Sequence, residues 1–308
     1  MKYFISLDGG TTNTRLYLVS DSSVIDTEKI NVGARNGKEA LEGGIKKALD
    51  VLLSRNLLSE SSVEGIIAFG MITSEYGLCP LDHITLPAGL SELHSSIYST
   101  RFENITSIPW FFIRGVKSYG CDLSICDVMR GEETEIMGID TSGEDTLYIL
   151  PGSHSKHVLA DKNGRITSFR TMLSGEMLAA IMQNTILKDA ADFDHNELVP
   201  DMLEKGFEYS CDHGINEALF KVRILKNMFG ASKEECFSFL SGCILCDEVD
   251  AVKRSPAKKV VIGGQKEQRL ALSHLVSKYT DKEVCILSDE EVSISSAIGA
   301  VKIFTFGR

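Results

Sequence analysis

Asp8-Gly9-Gly10-Thr11-Thr12 sets a carboxylate, two glycines and two hydroxyls side by side between two strand-like runs. Gly9 and Gly10 let the backbone take positive φ and come close to a ligand. Successive N–H groups at such a turn make an anion nest, and the Thr11 and Thr12 hydroxyls add donors for phosphate oxygens. Asp8, at the strand end, can hold Mg²⁺ directly or through water. A second turn, Gly152-Ser153-His154-Ser155-Lys156, has the same character, with Lys156 or His154 adding positive charge. A second glycine pair, Gly263-Gly264, ends the strand-like Val260-Val-Ile262 at the start of a helix. Backbone can approach a flat base or a ribose there, and the helix N-terminus favours an anion.

Between the two turns lies Arg130-Gly131-Glu132-Glu133, paired carboxylates at a helix start. A carboxylate so placed can take a proton from a hydroxyl as phosphoryl transfer begins. Phe169-Arg170 and the Ser174-Gly-Glu176 cap form a further polar stretch, with Arg170 its cation. Each feature has a plainer reading. Asp-Gly and Gly-Ser also make ordinary hairpin turns, and acidic residues favour helix N-termini for electrostatic reasons alone. Arg170 also reads as a surface strand residue.

Apolar spacing supplies the elements that must position these groups. Tyr3–Leu7, Leu16–Val19 and Val24–Val32 read as strands, Lys38–Arg55 as a helix and Glu64–Met71 as a buried strand. Ile108–Arg114 is a strand and Glu132–Gly138 a short helix. The order then repeats: strands over Asp145–Pro151, Lys156–Asp161 and Arg165–Met172, and a helix opening at Ser174. Helices over Gly214–Met228 and Lys233–Val252, a strand over Lys259–Gly263, a helix over Glu267–Tyr279, a strand over Val284–Leu287 and a helix over Ser293–Phe304 complete it. Two halves that each open on a Gly- and hydroxyl-rich hairpin and then alternate α and β indicate a duplicated α/β domain. The expected ligand position is the cleft between the halves.

The chain has 308 residues, long for one core, so two domains are expected. A net charge of -11, with 43 acidic residues and no basic run to offset them, argues against a nucleic-acid partner. The apolar runs are short and broken by charge, so no membrane span is expected. Met1-Lys2 leads straight into a strand-like run, so no signal peptide is expected. Eight cysteines in that setting fit free thiols in a reducing cytoplasm. Cys243 and Cys246 have CxxC spacing but sit in an apolar helical stretch, where packing is the expected role. Cys121 and Cys126 lie in a loop, and two thiols alone do not make a zinc site.

At these residues the chain resembles the 2-dehydro-3-deoxygalactonokinases, sugar-acid kinases of the actin-like ATPase superfamily. The resemblance runs through Asp8–Arg15, Val128-Met-Arg-Gly-Glu-Glu-Thr-Glu135, Leu150-Pro-Gly-Ser-His-Ser-Lys-His157, Phe169–Glu176 and Phe239-Leu-Ser-Gly242. It implies two RNase H-like domains, 1–138 on the substrate side and 139–308 on the nucleotide side, with ATP in the interdomain cleft and Mg²⁺ near Asp8. It also implies transfer of the γ-phosphate to the 6-hydroxyl of 2-keto-3-deoxygalactonate. The phosphate turns map onto Gly9, Gly10, Thr11 and Thr12 and onto Gly152, Ser153, His154 and Ser155, and the adenosine segment onto Gly263 and Gly264. Glu132 is the expected general base, with Glu133 second. Arg130, Lys156 and Arg170 are the candidate cations for an anionic 2-keto acid. Domain closure is expected to exclude water, and a homodimer is allowed for. The chain departs from many members in having Gly9 after the first-turn Asp, and in its own loop over Ser118–Asp127.

Two other functions share parts of this pattern. Exopolyphosphatase-like hydrolases of the superfamily carry a Gly-x-Glu-Glu in which a glutamate activates water. ATP-driven activators of radical dehydratases open on a similar turn and bind an iron–sulfur cluster through cysteines.

Overall fold

The structure, a computed structural model, describes residues 2–20, 23–140 and 143–307. The opening hairpin is β1 (Tyr3–Gly9) and β2 (Thr14–Ser20), followed by β3 (Ser23–Ile30) and α1 (Lys38–Arg55). Next come β4 (Val63–Gly70), β5 (Ile84–Thr85), α2 (Leu90–Ser95), β6 (Tyr98–Thr100), β7 (Trp110–Phe112), β8 (Val116–Ser118), β9 (Asp127–Met129) and α3 (Glu132–Gly138). Three strands then open the second half: β10 (Thr146–Leu150), β11 (Ser155–Ala160) and β12 (Ile166–Met172). Four helices follow, α4 (Ser174–Asn184), α5 (Pro200–His213), α6 (Ile215–Phe229) and α7 (Lys233–Arg254). β13 (Lys259–Ile262), α8 (Lys266–Tyr279), β14 (Glu283–Ile286) and α9 (Asp289–Thr305) complete the order.

The larger sheet runs β3-β2-β1-β4-β7-β6 and the second β12-β11-β10-β13-β14. Position by position, five strands of the first correspond to the five of the second. In each, the first strand of the opening hairpin pairs in parallel with the strand that follows a long connection: β1 with β4, and β10 with β13. This is the duplicated α/β architecture expected of an actin-like ATPase fold. A small sheet, β5-β8-β9, has strands of two and three residues. They are too short to show periodicity in the sequence.

Two compact units result, one of Met1–Glu144, Ala160–Phe169 and Glu290–Arg308, the other of Asp145–Leu159 and Arg170–Asp289. The chain is therefore not divided as the contiguous segments 1–138 and 139–308. The physical reason lies in packing within the first unit. Phe304 of α9 packs edge-on against Phe4 and at a tilt against Phe111, with ring centroids 5.7 and 4.5 Å apart. Gly138 and Gly299 bring the backbones of α3 and α9 into contact: a Cβ at Gly299 would stand 1.9 Å from the Thr134 carbonyl oxygen. The tip of the β11–β12 hairpin belongs there too, where Ile166 bridges Ala88.

In the first unit, alternation along β1 sends Ile5 and Leu7 to one face, where they meet Leu16, Leu18 and the apolar stripe of α1, Leu41, Ile45, Leu49 and Leu52. Trp110 and Phe112 close that core, and Phe4 points to the α9 face. In the second unit, Ile149, Val260 and Ile262 pack against Leu245 and Val249 of α7 and Leu272, Leu275 and Val276 of α8. The two turns follow directly on the ends of β1 and β10.

Candidate functional site

The first turn closes through the Gly10 amide on the Asn13 carbonyl, 2.8 Å. It is pinned from outside, because the Ala34 and Arg35 amides donate to the Gly10 and Thr11 carbonyls, each at 3.0 Å. Thr11 and Thr12 are exposed, and the Thr12 hydroxyl accepts from the Asn13 amide side chain. Asp8 stands across the strand pair from Arg15. Burial pushes its carboxyl up to about 6; Arg15 opposes the shift and the Glu132 charge adds to it. Gly70 ends the neighbouring strand at φ +78°, where a Cβ would lie 2.8 Å from the Gly9 carbonyl oxygen and 3.2 Å from Asp8 Oδ1.

At the start of α3 the two adjacent glutamates have different environments. Glu133 is fully buried and folds back so that both carboxylate oxygens accept the Gly131 amide, at 2.9 and 2.8 Å. Burial, then the Glu132 charge, push Glu133 up to about 8. Glu132 is part-exposed, and its Oε2 accepts the Arg130 amide at 3.1 Å. Glu135, the last residue of the Val128–Glu135 stretch, is also raised to about 8, by burial first and then by Glu132 and Asp8. Asp8, Glu132 and Glu135 thus share one electrostatic neighbourhood. The signal for Glu135 was its i,i+3 spacing from Glu132.

Arg130 is committed locally. Its guanidinium donates to the Thr73 carbonyl at 2.8 Å, to the Thr73 hydroxyl and to the Leu81 carbonyl at 3.1 Å. It also meets His83 Nδ1 at 3.4 Å. Burial, then the Arg130 charge, push His83 down to about 4, so the ring is neutral beside the guanidinium. Arg130 therefore fastens the 71–83 segment to the start of α3.

In the second unit the Gly152–Ser155 turn is half surface and half core. Ser153 and His154 are exposed, whereas Ser155, Lys156 and His157 are buried. His154 Nε2 stands 3.5 Å from Glu176 Oε2, and the Glu176 amide donates to the Ser153 carbonyl at 3.1 Å. Lys156 Nζ donates to the Thr171 hydroxyl at 2.9 Å. Ser155 Oγ donates to Glu248 Oε2 at 2.8 Å, and His157 Nε2 meets the same oxygen at 2.9 Å. Burial works against the Glu248 charge, but hydrogen bonds from His157, Ser174 and Ser155 prevail and hold the carboxyl below its ordinary value. Arg170 is exposed on β12, and its side chain makes no hydrogen bond or ion pair among the described residues.

The Gly263-Gly264 pair meets the second turn. The Gly263 amide donates to the Ile149 carbonyl at 2.9 Å and the Gln265 amide to the Pro151 carbonyl at 2.8 Å. Gly264 sits at φ +70°, and a Cβ there would be 2.2 Å from the Pro151 carbonyl oxygen. Gly70 beside Gly9 and Gly264 beside Pro151 are corresponding positions in the two sheets. Against the first turn of α8 lies a cavity of about 90 Å³. Leu178, Phe193, Phe237 and Ile244 give it apolar walls. Ser241 Oγ and Gln268 Oε1 also line it, and both are buried with no hydrogen-bond partner among the described residues. Ser241 belongs to the Phe239-Leu-Ser-Gly242 stretch, to which the sequence assigns no role, and Gln268 in a polar helix is ordinary.

No three His, Cys, Asp or Glu side chains among the described residues are grouped to hold a metal ion by themselves. A carboxylate such as Asp8 nonetheless fits Mg²⁺, which keeps several waters and takes its other ligands from phosphates. Among the described residues no helix is long and apolar enough to cross a membrane.

A family model described as 2-keto-3-deoxy-galactonokinase matches residues 8–292. The chain is 26% identical over 251 residues to the 2-dehydro-3-deoxygalactonokinase of Escherichia coli, covering 81% of this chain and 80% of that one. A solved Sinorhizobium meliloti protein assigned as a 2-dehydro-3-deoxygalactonokinase superposes with a TM-score of 0.78 at 24% identity, covering 99% of this chain and all of the other. The activator of 2-hydroxyisocaproyl-CoA dehydratase from Clostridium difficile, solved with ADPNP, superposes with a TM-score of 0.55 at 13% identity. It covers 97% of this chain and 93% of its own, and at that identity the likeness is one of fold.

Proposed function

We propose, from the premise that the chain belongs to the 2-keto-3-deoxy-galactonokinase family and is a sugar-acid kinase, that it moves the γ-phosphoryl group of ATP to the 6-hydroxyl of 2-dehydro-3-deoxygalactonate in the cytoplasm. The observation that carries the reading is the division of chemistry between the units. The first presents an acidic group, Asp8 with Glu132, at the end of β1. The second presents a glycine turn, a helix start and an apolar cavity with two unpaired polar atoms.

In this reading the second unit binds the nucleotide. The adenine ring occupies the cavity beside α8, where Ser241 and Gln268 meet its polar edge, and Gly263 and Gly264 allow close approach of the nucleoside. Gly152–Ser155 and Gly9–Thr12 give backbone and hydroxyl donors to the phosphates. Asp8 would hold Mg²⁺, which when bound neutralises charge on the phosphate oxygens. Glu132 takes the proton of the 6-hydroxyl as that oxygen bonds to the γ-phosphorus and the bond to the bridging oxygen of ADP breaks. Glu133 is a poorer base, with both oxygens turned onto the Gly131 amide. Arg170, exposed and without a hydrogen bond, is the cation offered to an anionic group of the substrates, while Lys156 supports the second turn. Arg130 contributes by holding the 71–83 segment.

The test is ADP release from Mg-ATP with and without the sugar acid. A hydrolase would liberate phosphate without an acceptor, and an activator of the dehydratase type would carry iron.

A further inference from the structure

Helices α5 and α7 lie parallel and unusually close. Moving down both helices, the Val199 amide donates to Ser238 Oγ at 2.8 Å, and Ser210 Oγ donates to the Cys243 carbonyl at 3.1 Å. Between those points the backbones touch. A Cβ at Gly206 would lie 2.0 Å from the Phe239 carbonyl oxygen, and one at Gly242 would lie 2.0 Å from that of Leu203. On α7 the contact row is Ser238, Gly242, Cys246, one small residue per turn; on α5 it is Gly206, Ser210 and Cys211. Small residues let helices approach beyond the usual 8–10 Å or so between axes. The row ends on two thiols facing each other, Cys211 exposed and Cys246 part-buried, with the sulfur atoms in contact at 2.6 Å.

We propose that Cys211 and Cys246 form a redox site, a thiol pair that closes to a disulfide on reaction with a low-molecular-weight disulfide of the glutathione class. The Cys211 thiolate attacks one sulfur of the small disulfide and expels a thiolate, leaving a mixed disulfide on α5. Cys246 gives its proton to the small thiolate expelled first, then attacks the Cys211 sulfur and expels the second small thiolate. The two protein thiols are oxidised by two electrons, and one small disulfide is reduced to two thiols. Exposure gives Cys211 the first step. Burial, then the neighbouring Cys211, push the Cys246 thiol up to about 12 and keep it protonated at rest, so its contact with the Cys211 sulfur is what gives it the second step. Cys243, the CxxC neighbour, faces the core and is buried. The bond would tie α5 to the helix that supplies Ser241 to the cavity and Glu248 to the second turn.

The experiment treats the reduced full-length protein with oxidised glutathione and reads intact mass and non-reducing peptide maps. The expected result is loss of the mass of two hydrogen atoms, one crosslinked peptide pair joining Cys211 to Cys246, and reversal by dithiothreitol. Thermal unfolding should then rise by several degrees in the oxidised wild type and not in Cys211→Ser or Cys246→Ser, each of which should also lose the crosslink. A stable glutathione adduct on Cys211 with no crosslink, or a bond between Cys243 and Cys246 instead, would overturn the proposal. The test is independent of the kinase reading.

Discussion

Glu248 Oε2 lies 2.9 Å from His157 Nε2, a buried pair joining α7 to the strand that leaves the second glycine turn. The same oxygen accepts the Ser155 hydroxyl, so a single carboxylate fixes two of the three residues after His154. Removing it leaves a buried imidazole and a buried hydroxyl without partners. Glu248→Ala should therefore cost about 3–5 kcal/mol of stability, and Glu248→Gln clearly less. Urea unfolding of the two variants measures this; equal stability of Glu248→Ala and the wild type would show the pair to be idle.

The two glutamates at the start of α3 should separate in kinetics. Glu132→Gln should lower kcat by about 10²–10⁴-fold with the unfolding midpoint unchanged, because its side chain is part-exposed. Wild-type turnover in Glu132→Gln would remove it as the base.

Glu133 should instead show in the pH dependence of stability. Its folded carboxyl is raised from 4.5 to about 8. Between those values the unfolded chain releases a proton that the folded chain keeps, so its contribution is full below pH 4.5 and is lost as pH rises through about 8. Glu133→Gln should flatten that decline. Unfolding midpoints across the range, in both proteins, test the sign.

Asp8→Asn keeps the size of the side chain and removes its charge. Turnover should fall by more than ~10-fold, with a higher Mg²⁺ requirement, while the fold persists. Unchanged Mg²⁺ dependence would remove Asp8 from the metal.

Gly264→Ala forces a side chain onto φ +70° and against the Pro151 carbonyl oxygen. A non-glycine residue so held costs about 1–3 kcal/mol before any clash is counted. Nucleotide affinity should weaken with stability, whereas Gln268→Ala should weaken affinity and selectivity for adenine alone. Titration with ADP and GDP, beside unfolding, distinguishes them.

Much of this arrangement is legible in the chain. Alternation along Tyr3–Leu7 and the apolar stripe of Lys38–Arg55 define elements whose local patterns agree with their packing. Gly10 and Gly264 are legible because few other residues tolerate such backbone approach. The return of α9 to the first unit is not, since it depends on Gly138 meeting Gly299, some 160 residues away in the chain. Arg130 reads equally as a ligand or a clamp until its partners, Thr73 and Leu81, are known. Glu135 and Ser241 lie in stretches that the sequence marks, but their roles, like that of Gln268, depend on burial, which no residue type states.

The central claim is tested most directly by ADP production from Mg-ATP with 2-keto-3-deoxygalactonate, with its gluconate epimer, and with neither. The account predicts turnover that requires the sugar acid and favours the galactonate. Phosphate release that ignores both acids, or no turnover with either, would contradict it.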